Sequence, residues 1–268
     1  AVYVDKPKWL SKGLATTQWS ARWSGIGAGA TALKGKLPQI QICWFNGLGY
    51  ETWENVWGTW NGLIERSAEA IRRVGMMLRF FGHRAENFFT SPDWIPFTAE
   101  GAQMEQGVFA SAFPRGKETV YTFINWDENE KGTDSTGVQL NPATKAAHYY
   151  DCYNGIELTP DAKTGALSFE ILANGFGCVV ATPNATTIDH AAGACTLRAM
   201  HAGITGGAPS IPTTLGAFLG TMAVMTKKPL AEYDNYFHYL PQVMVNGSQT
   251  TKIRSLHDNA TDEVYISG

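Results

Sequence analysis

Five short apolar stretches between residues 105 and 183, separated by turn signals, leave few folds open to this chain. They are Val108–Phe113, Thr119–Trp126, Ala147–Asp151, Leu167–Leu172 and Gly177–Ala181. In one of them Leu167, Phe169 and Ile171 alternate with Ser168 and Glu170, the period-2 spacing of a half-buried strand. Pro114-Arg115-Gly116, Asp127-Glu128-Asn129, Asn154-Gly155, Lys163-Thr164-Gly165 and Asn174-Gly175 supply the turns. Short strands with regular turns predict a small antiparallel β-sandwich over residues 105–183.

The chain before residue 105 reads differently. Residues 1–38 are turn-rich, with Trp9, Trp19 and Trp23 set among glycines. Ile40–Phe45 is short, apolar and partly β-branched, which predicts a buried strand, and Asn46-Gly47-Leu48-Gly49 breaks it. Trp53, Trp57 and Trp60 then recur at a spacing that would put them on one helical face. Ser67 to Phe81 is predicted to be a helix, with Ile71, Val74, Leu78 and Phe81 on its apolar face. Ser67 is its candidate N-cap, and Gly82 closes it. Strand, loop and helix together form the unit of an α/β barrel or open sheet. Residues 184–268 are read as a linker with one amphipathic helix, Thr214 to Thr226, whose face carries Leu215, Phe218, Leu219, Met222 and Met225.

Charge and cysteine usage narrow the function classes. The net charge of −3 offers no basic surplus, so no nucleic-acid partner is expected. No apolar run is long enough to span a membrane as a helix. Cys43, Cys152, Cys178 and Cys195 follow no metal-like spacing, and the histidines show no HxH or HxxxH pattern, so neither metal nor cofactor is expected. Cys152 and Cys178 form a disulfide if their strands are neighbours, or serve as two small buried apolar side chains. Three triplets, beginning at Asn184, Asn246 and Asn259, are N-glycosylation acceptors, which points to an extracellular or secretory-pathway location. The opening Ala1–Lys6 has neither Met nor an apolar signal core, so the chain is expected to be processed or cut from a longer one.

The run Trp44-Phe45-Asn46-Gly47-Leu48-Gly49-Tyr50-Glu51-Thr52-Trp53-Glu54-Asn55-Val56-Trp57-Gly58 resembles the last part of a glycoside-hydrolase-like (β/α) barrel. That barrel occurs in large multidomain proteins with a sulfatase-modifying-factor (formylglycine-generating-enzyme type) domain further along. The similarity continues through Ser91–Trp94, Gly107–Ser111, His148–Asp151 and Gly175–Val179. Val264–Gly268 looks like the first strand of the modifying-factor domain. The resemblance implies an α/β plus all-β fold: the last strand/helix units of a (β/α) barrel over residues 1–104, the sandwich over 105–183, and the irregular tail over 184–268. A closed barrel takes about 200 residues or more. The rest of the same polypeptide, or a docked partner chain, is therefore an expected partner.

The same run supplies the candidate chemistry. Glu51 and Glu54 follow a predicted strand, where barrel loops build active sites, and glycoside hydrolysis typically uses two carboxylates. Their other role is to cap a helix start. Trp53 and Trp57 suit the apolar faces of sugar rings, or else pack a helix on its neighbours. Asn46 and Tyr50 orient a substrate hydroxyl or satisfy turn backbone. The expected function is that of a secreted glycoside-hydrolase-like protein acting on or binding polysaccharide. The alternative is a non-catalytic glycan-binding or structural component of an extracellular surface or assembly.

Overall fold

The computed structural model describes residues 37–49, 65–84, 87–101, 103, 106–126, 135–143, 145–191 and 211–233, with the backbone of Met244–Val245 and Ser248–Gln249. The described residues form a mixture of helix and antiparallel sheet. The helices are α1 (Leu37–Phe45), α2 (Glu65–Gly82) and α3 (Leu215–Met225). The strands are β1 (Ile95–Pro96), β2 (Val108–Arg115), β3 (Glu118–Asn125), β4 (Ser135–Leu140), β5 (His148–Asp151), β6 (Ile156–Leu158), β7 (Leu167–Leu172), β8 (Phe176–Thr182), β9 (Met244–Val245) and β10 (Ser248–Gln249). Six of them make one sheet in the order β1-β2-β3-β8-β5-β6, while β4 pairs with β7 and β9 with β10. Every pairing is antiparallel.

The five predicted strands are present, as β2, β3, β5, β7 and β8, because both faces of the sheet are buried and side chains alternate between them. On one face lie Phe113, Val120, Ile124, Tyr150, Phe176, Cys178 and Val180, packed with the three helices. On the other lie Val108, Ala110, Ala112, Tyr121, Phe123, Tyr149, Val179 and Ala181, packed with Val138, Leu140, Leu167 and Ile171 of the β4–β7 ribbon. The sheet thus separates two apolar cores.

Residues 40–45 are not a strand. They belong to α1, in which every residue except Pro38 is buried. A helix covered on all sides carries no polar stripe, so a continuous apolar run does not disclose its period. The break at Asn46-Gly47 is the end of this helix. The Gly47 N–H donates to the Trp44 carbonyl (2.9 Å) and the Leu48 N–H to the Cys43 carbonyl (2.9 Å). This pair of bonds is a Schellman C-cap, and Gly47 takes the left-handed φ of 64° that the motif requires. The expected strand–loop–helix order is therefore absent from the described residues, where α1 and α2 both lie against the same sheet face.

Helix α2 extends the predicted span by two residues at its start and one at its end, and Ser67 lies inside it, fully buried, rather than at its N-cap. Helix α3 matches its predicted span, with the Thr214 hydroxyl accepting the Ala217 N–H (3.2 Å). Expected within a linker, α3 is built into the core: Phe218 stacks parallel to Phe80 at 4.1 Å and meets Phe81 edge-on at 5.4 Å. Strands β1, β4 and β6 gave no sequence signal, being very short or, in Ser-Thr-Gly-Val-Gln-Leu of β4, poor in apolar residues.

Gly155, in the turn between β5 and β6, lies directly under α3. Its φ is 66°, and an added Cβ would overlap the Leu219 carbonyl and stand 2.7 Å from the Ala223 nitrogen. Gly155→Ala is expected to lower stability by about 2–5 kcal/mol, combining a left-handed alanine with an overpacked contact. Urea unfolding of the variant beside the wild type checks it.

Candidate functional site

Tyr50, Glu51, Trp53, Glu54 and Trp57 lie outside the described residues, as do Asn246 and Asn259. What the structure describes is the ground on either side of them. Before them, α1 docks on the sheet through its polar atoms as well as its apolar ones. The Gln41 side-chain amide donates to the carbonyls of Asn125 (2.9 Å) and Gly175 (3.0 Å), tying α1 to the end of β3 and the start of β8. The Trp44 indole N–H donates to the Gly177 carbonyl (3.0 Å), and the Thr122 hydroxyl donates to the Phe45 carbonyl (3.2 Å). Each of these groups is buried, where an unmade hydrogen bond costs about 1–3 kcal/mol. Trp44 is therefore a core residue, edge-on to Phe89 at 5.9 Å, and offers no face to a sugar.

Asn46 is fully buried, and its side-chain amide donates to the Ile42 carbonyl (2.9 Å) at the end of its own helix. Of the two roles open to it in the sequence, the structure has it satisfying helix backbone.

After the candidate run, α2 is held by a buried ionic network that the sequence did not reveal. Glu69 accepts from Nε and Nη2 of Arg72 and from Nε of Arg73, all at 2.7 Å. Arg73 is 1 % exposed. It also donates to the Tyr153 hydroxyl (3.1 Å) and the Lys228 carbonyl (2.6 Å), with the rings of Tyr153 and Tyr233 within 6 Å of its guanidinium carbon. One arginine thus joins α2, the turn after β5, and the segment that follows α3. Burial pushes the Tyr153 phenol above its ordinary range, and the charge and hydrogen bond of Arg73 pull it partly back.

Two hollows accompany these elements. Arg66, Tyr153, Asn154, Glu170 and Asn174 line a cavity of about 50 Å³ between the start of α2 and the turn joining β7 to β8. Ligand pockets run to roughly 300–1,000 Å³, so this one holds groups the size of water and not a sugar ring. A larger hollow of about 680 Å³, open to solvent, lies between residues 185–191 and 214–217. Its walls combine Thr186, Thr187, Asp189 and His190 with the apolar Ile188, Leu215 and Ala217, and among the described residues they include no Phe, Tyr or Trp. Among the described residues no group of three or more His, Cys, Asp or Glu is placed to hold a metal ion. Among them also, no helix is long and apolar enough to cross a membrane.

Cys152 and Cys178 are brought together, as a disulfide would require: the Cys152 N–H donates to the Cys178 carbonyl at 2.7 Å. Both stand as buried free thiols, as does Cys43. Burial pushes the Cys43 thiol up to about 12. Burial first, and then the neighbouring Cys152, hold Cys178 well above the thiol range. Beside them Asp151 is buried, its carboxylate accepting the N–H groups of Tyr153 (2.9 Å) and Asn154 (3.0 Å) and the side-chain amide of Asn154 (2.7 Å). Burial raises its pKa despite these bonds.

No protein-family model matches the chain, and no curated protein matches it.

Two outcomes follow from the buried groups. Iodoacetamide at pH 8 is expected to label Cys43 and Cys178 about a thousandfold more slowly in the folded protein than in the unfolded chain, since the thiolate is the reactive form and burial disfavours it, and to be slowed at Cys152 by burial from the reagent. In denaturant without reductant all three become labelled, and peptide mass spectrometry reads both states. For Asp151, the folded state holds the proton more tightly than the unfolded chain. Its contribution is therefore full below the ordinary aspartate value and is lost as pH rises through the raised one. The stability of the wild type relative to Asp151→Asn is thus expected to fall as pH rises from about 4, as measured by urea unfolding across that range.

Proposed function

We propose that this chain is the helix-and-sheet portion of a glycoside-hydrolase-like protein that acts on or binds polysaccharide outside the cell or in the secretory pathway. Glu51 or Glu54 is its candidate acid, base or nucleophile, with the partner carboxylate supplied from another part of the protein, and Trp53 and Trp57 are its candidate sugar platforms. In this reading α1 and α2 are helices of the barrel-type α/β body. The six-stranded sheet and the β4–β7 ribbon that faces it form the small β-sandwich, and a sulfatase-modifying-factor domain follows.

The observation that carries the reading is what flanks Glu51, Trp53, Glu54 and Trp57 in the sequence. Before them stands a helix whose Gln41 and Trp44 are bonded to strand backbone, and after them a helix whose Glu69 and Arg73 are joined in a buried network. A carbohydrate site is best built next to rigid elements, and these two helices are of that kind. The three glycosylation triplets support the location.

One observation favours the non-catalytic alternative. Glu69, Glu100, Glu118, Asp151 and Asp161 are each engaged in local structure: Glu69 by Arg72 and Arg73, Glu100 by Tyr121, Glu118 by Thr182, Asp151 by Asn154 and Asp161 by Thr164. These five are committed to the fold, so none of them serves as a second catalytic carboxylate.

Glu51→Gln, Glu54→Gln and Trp53→Ala in the intact protein separate the two. If the protein is a hydrolase, either glutamine variant lowers release of reducing ends from polysaccharide by about 10²–10⁴-fold, the usual worth of a general acid or base, while retention on insoluble polysaccharide persists. If it is a binder, only Trp53→Ala matters, and it lowers retention. Wild-type behaviour of all three variants in both assays overturns the proposal.

A further inference from the structure

We infer that Asn184 is a site of N-linked glycosylation, taking an oligosaccharide from a polyisoprenoid-pyrophosphate donor. The inference rests on the secretory-pathway location proposed above and not on the polysaccharide reading. Asn184-Ala185-Thr186 has an acceptor asparagine, a middle residue that is not proline, and a threonine hydroxyl two positions on. The triplet follows directly on β8, in a bend, with Pro183, Asn184 and Ala185 exposed to solvent.

The backbone on both sides of the asparagine is held. Its own N–H donates to the Thr182 hydroxyl oxygen (3.3 Å), and that hydroxyl donates to Glu118 (2.6 Å). Beyond it, the Tyr150 phenol oxygen accepts the Thr186 N–H (2.8 Å) and donates to the Thr186 carbonyl (3.2 Å). Tyr150 is itself buried, so a core side chain fixes this stretch against the sheet face and leaves the acceptor outside it. A bulky, hydrated glycan is compatible with the fold at such a point, because the asparagine contributes nothing to either core.

In the transfer, Nδ2 of Asn184 bonds to C1 of the oligosaccharide as the C1–O bond to phosphate breaks. The polyisoprenoid pyrophosphate leaves with that electron pair, and Nδ2 gives up one proton. No oxidant or reductant enters.

The test is to secrete the whole chain from eukaryotic cells, treat it with peptide-N-glycosidase in water labelled with heavy oxygen, and map the peptides. The expected result is labelled aspartate at position 184. Asn184→Gln is expected to lose one glycan-sized step in gel mobility, and Thr186→Ser to retain it. Recovery of the position 184 peptide only in unmodified form from secreted wild-type protein overturns the inference, including the case in which Asn246 or Asn259 carries sugar.

Discussion

A sheet buried on both faces sets the terms for everything else in this protein. Strands β2, β3, β8 and β5 send alternate side chains into two separate cores, and neither face can be left open to water. Each face needs its own cover. The β4–β7 ribbon closes one, and α1, α2 and α3 together close the other. The helices come from both sides of the strands in sequence, and the helical layer shares one apolar core with the sheet face.

The helical cover is fastened by polar bonds as much as by apolar contact. Gln41 and Trp44 bond to main-chain carbonyls near the meeting of β3 and β8, where they fix both the position and the rotation of α1. Arg73 does the corresponding work for α2, paired with Glu69 through Nε and donating one N–H each to Tyr153 and Lys228. Removing one partner from such a buried pair typically costs about 3–5 kcal/mol, because the other charge is left stranded. The network thus specifies one arrangement of α2 against the sheet more than it adds net stability.

The parts of this fold that were legible in the sequence are those whose two faces differ. Leu167–Leu172 alternates visibly, and the apolar face of α2 stands out against its arginines. Leu37–Phe45 misled because nearly all of it is buried, which removes the contrast that distinguishes period 3.6 from period 2. The role of α3 was hidden because its partner rings Phe80 and Phe81 are remote in the chain, although its charge-free sequence, Leu-Gly-Ala-Phe-Leu-Gly-Thr-Met-Ala-Val-Met, is itself a mark of a helix packed into a core. The anchoring role of Arg73 is not legible in the sequence because its partners Tyr153 and Lys228 are remote in the chain. Of the candidate site, the sequence named the residue types that suit sugar chemistry. That Trp44 and Asn46 serve the core and the helix end depends on contacts with Gly177 and Ile42, and the first of these is long-range.

The stacking of Phe80 on Phe218 has a consequence for biosynthesis. During translation α2 leaves the ribosome long before α3, and the strands emerge between them. Until α3 arrives, Phe80 lacks its stacking partner, and the nascent polypeptide carries that apolar surface while the strands are being made. Such late closure of distant contacts slows folding and favours aggregation, so the interval between synthesis of α2 and of α3 is a stretch in which the Phe80 ring needs covering.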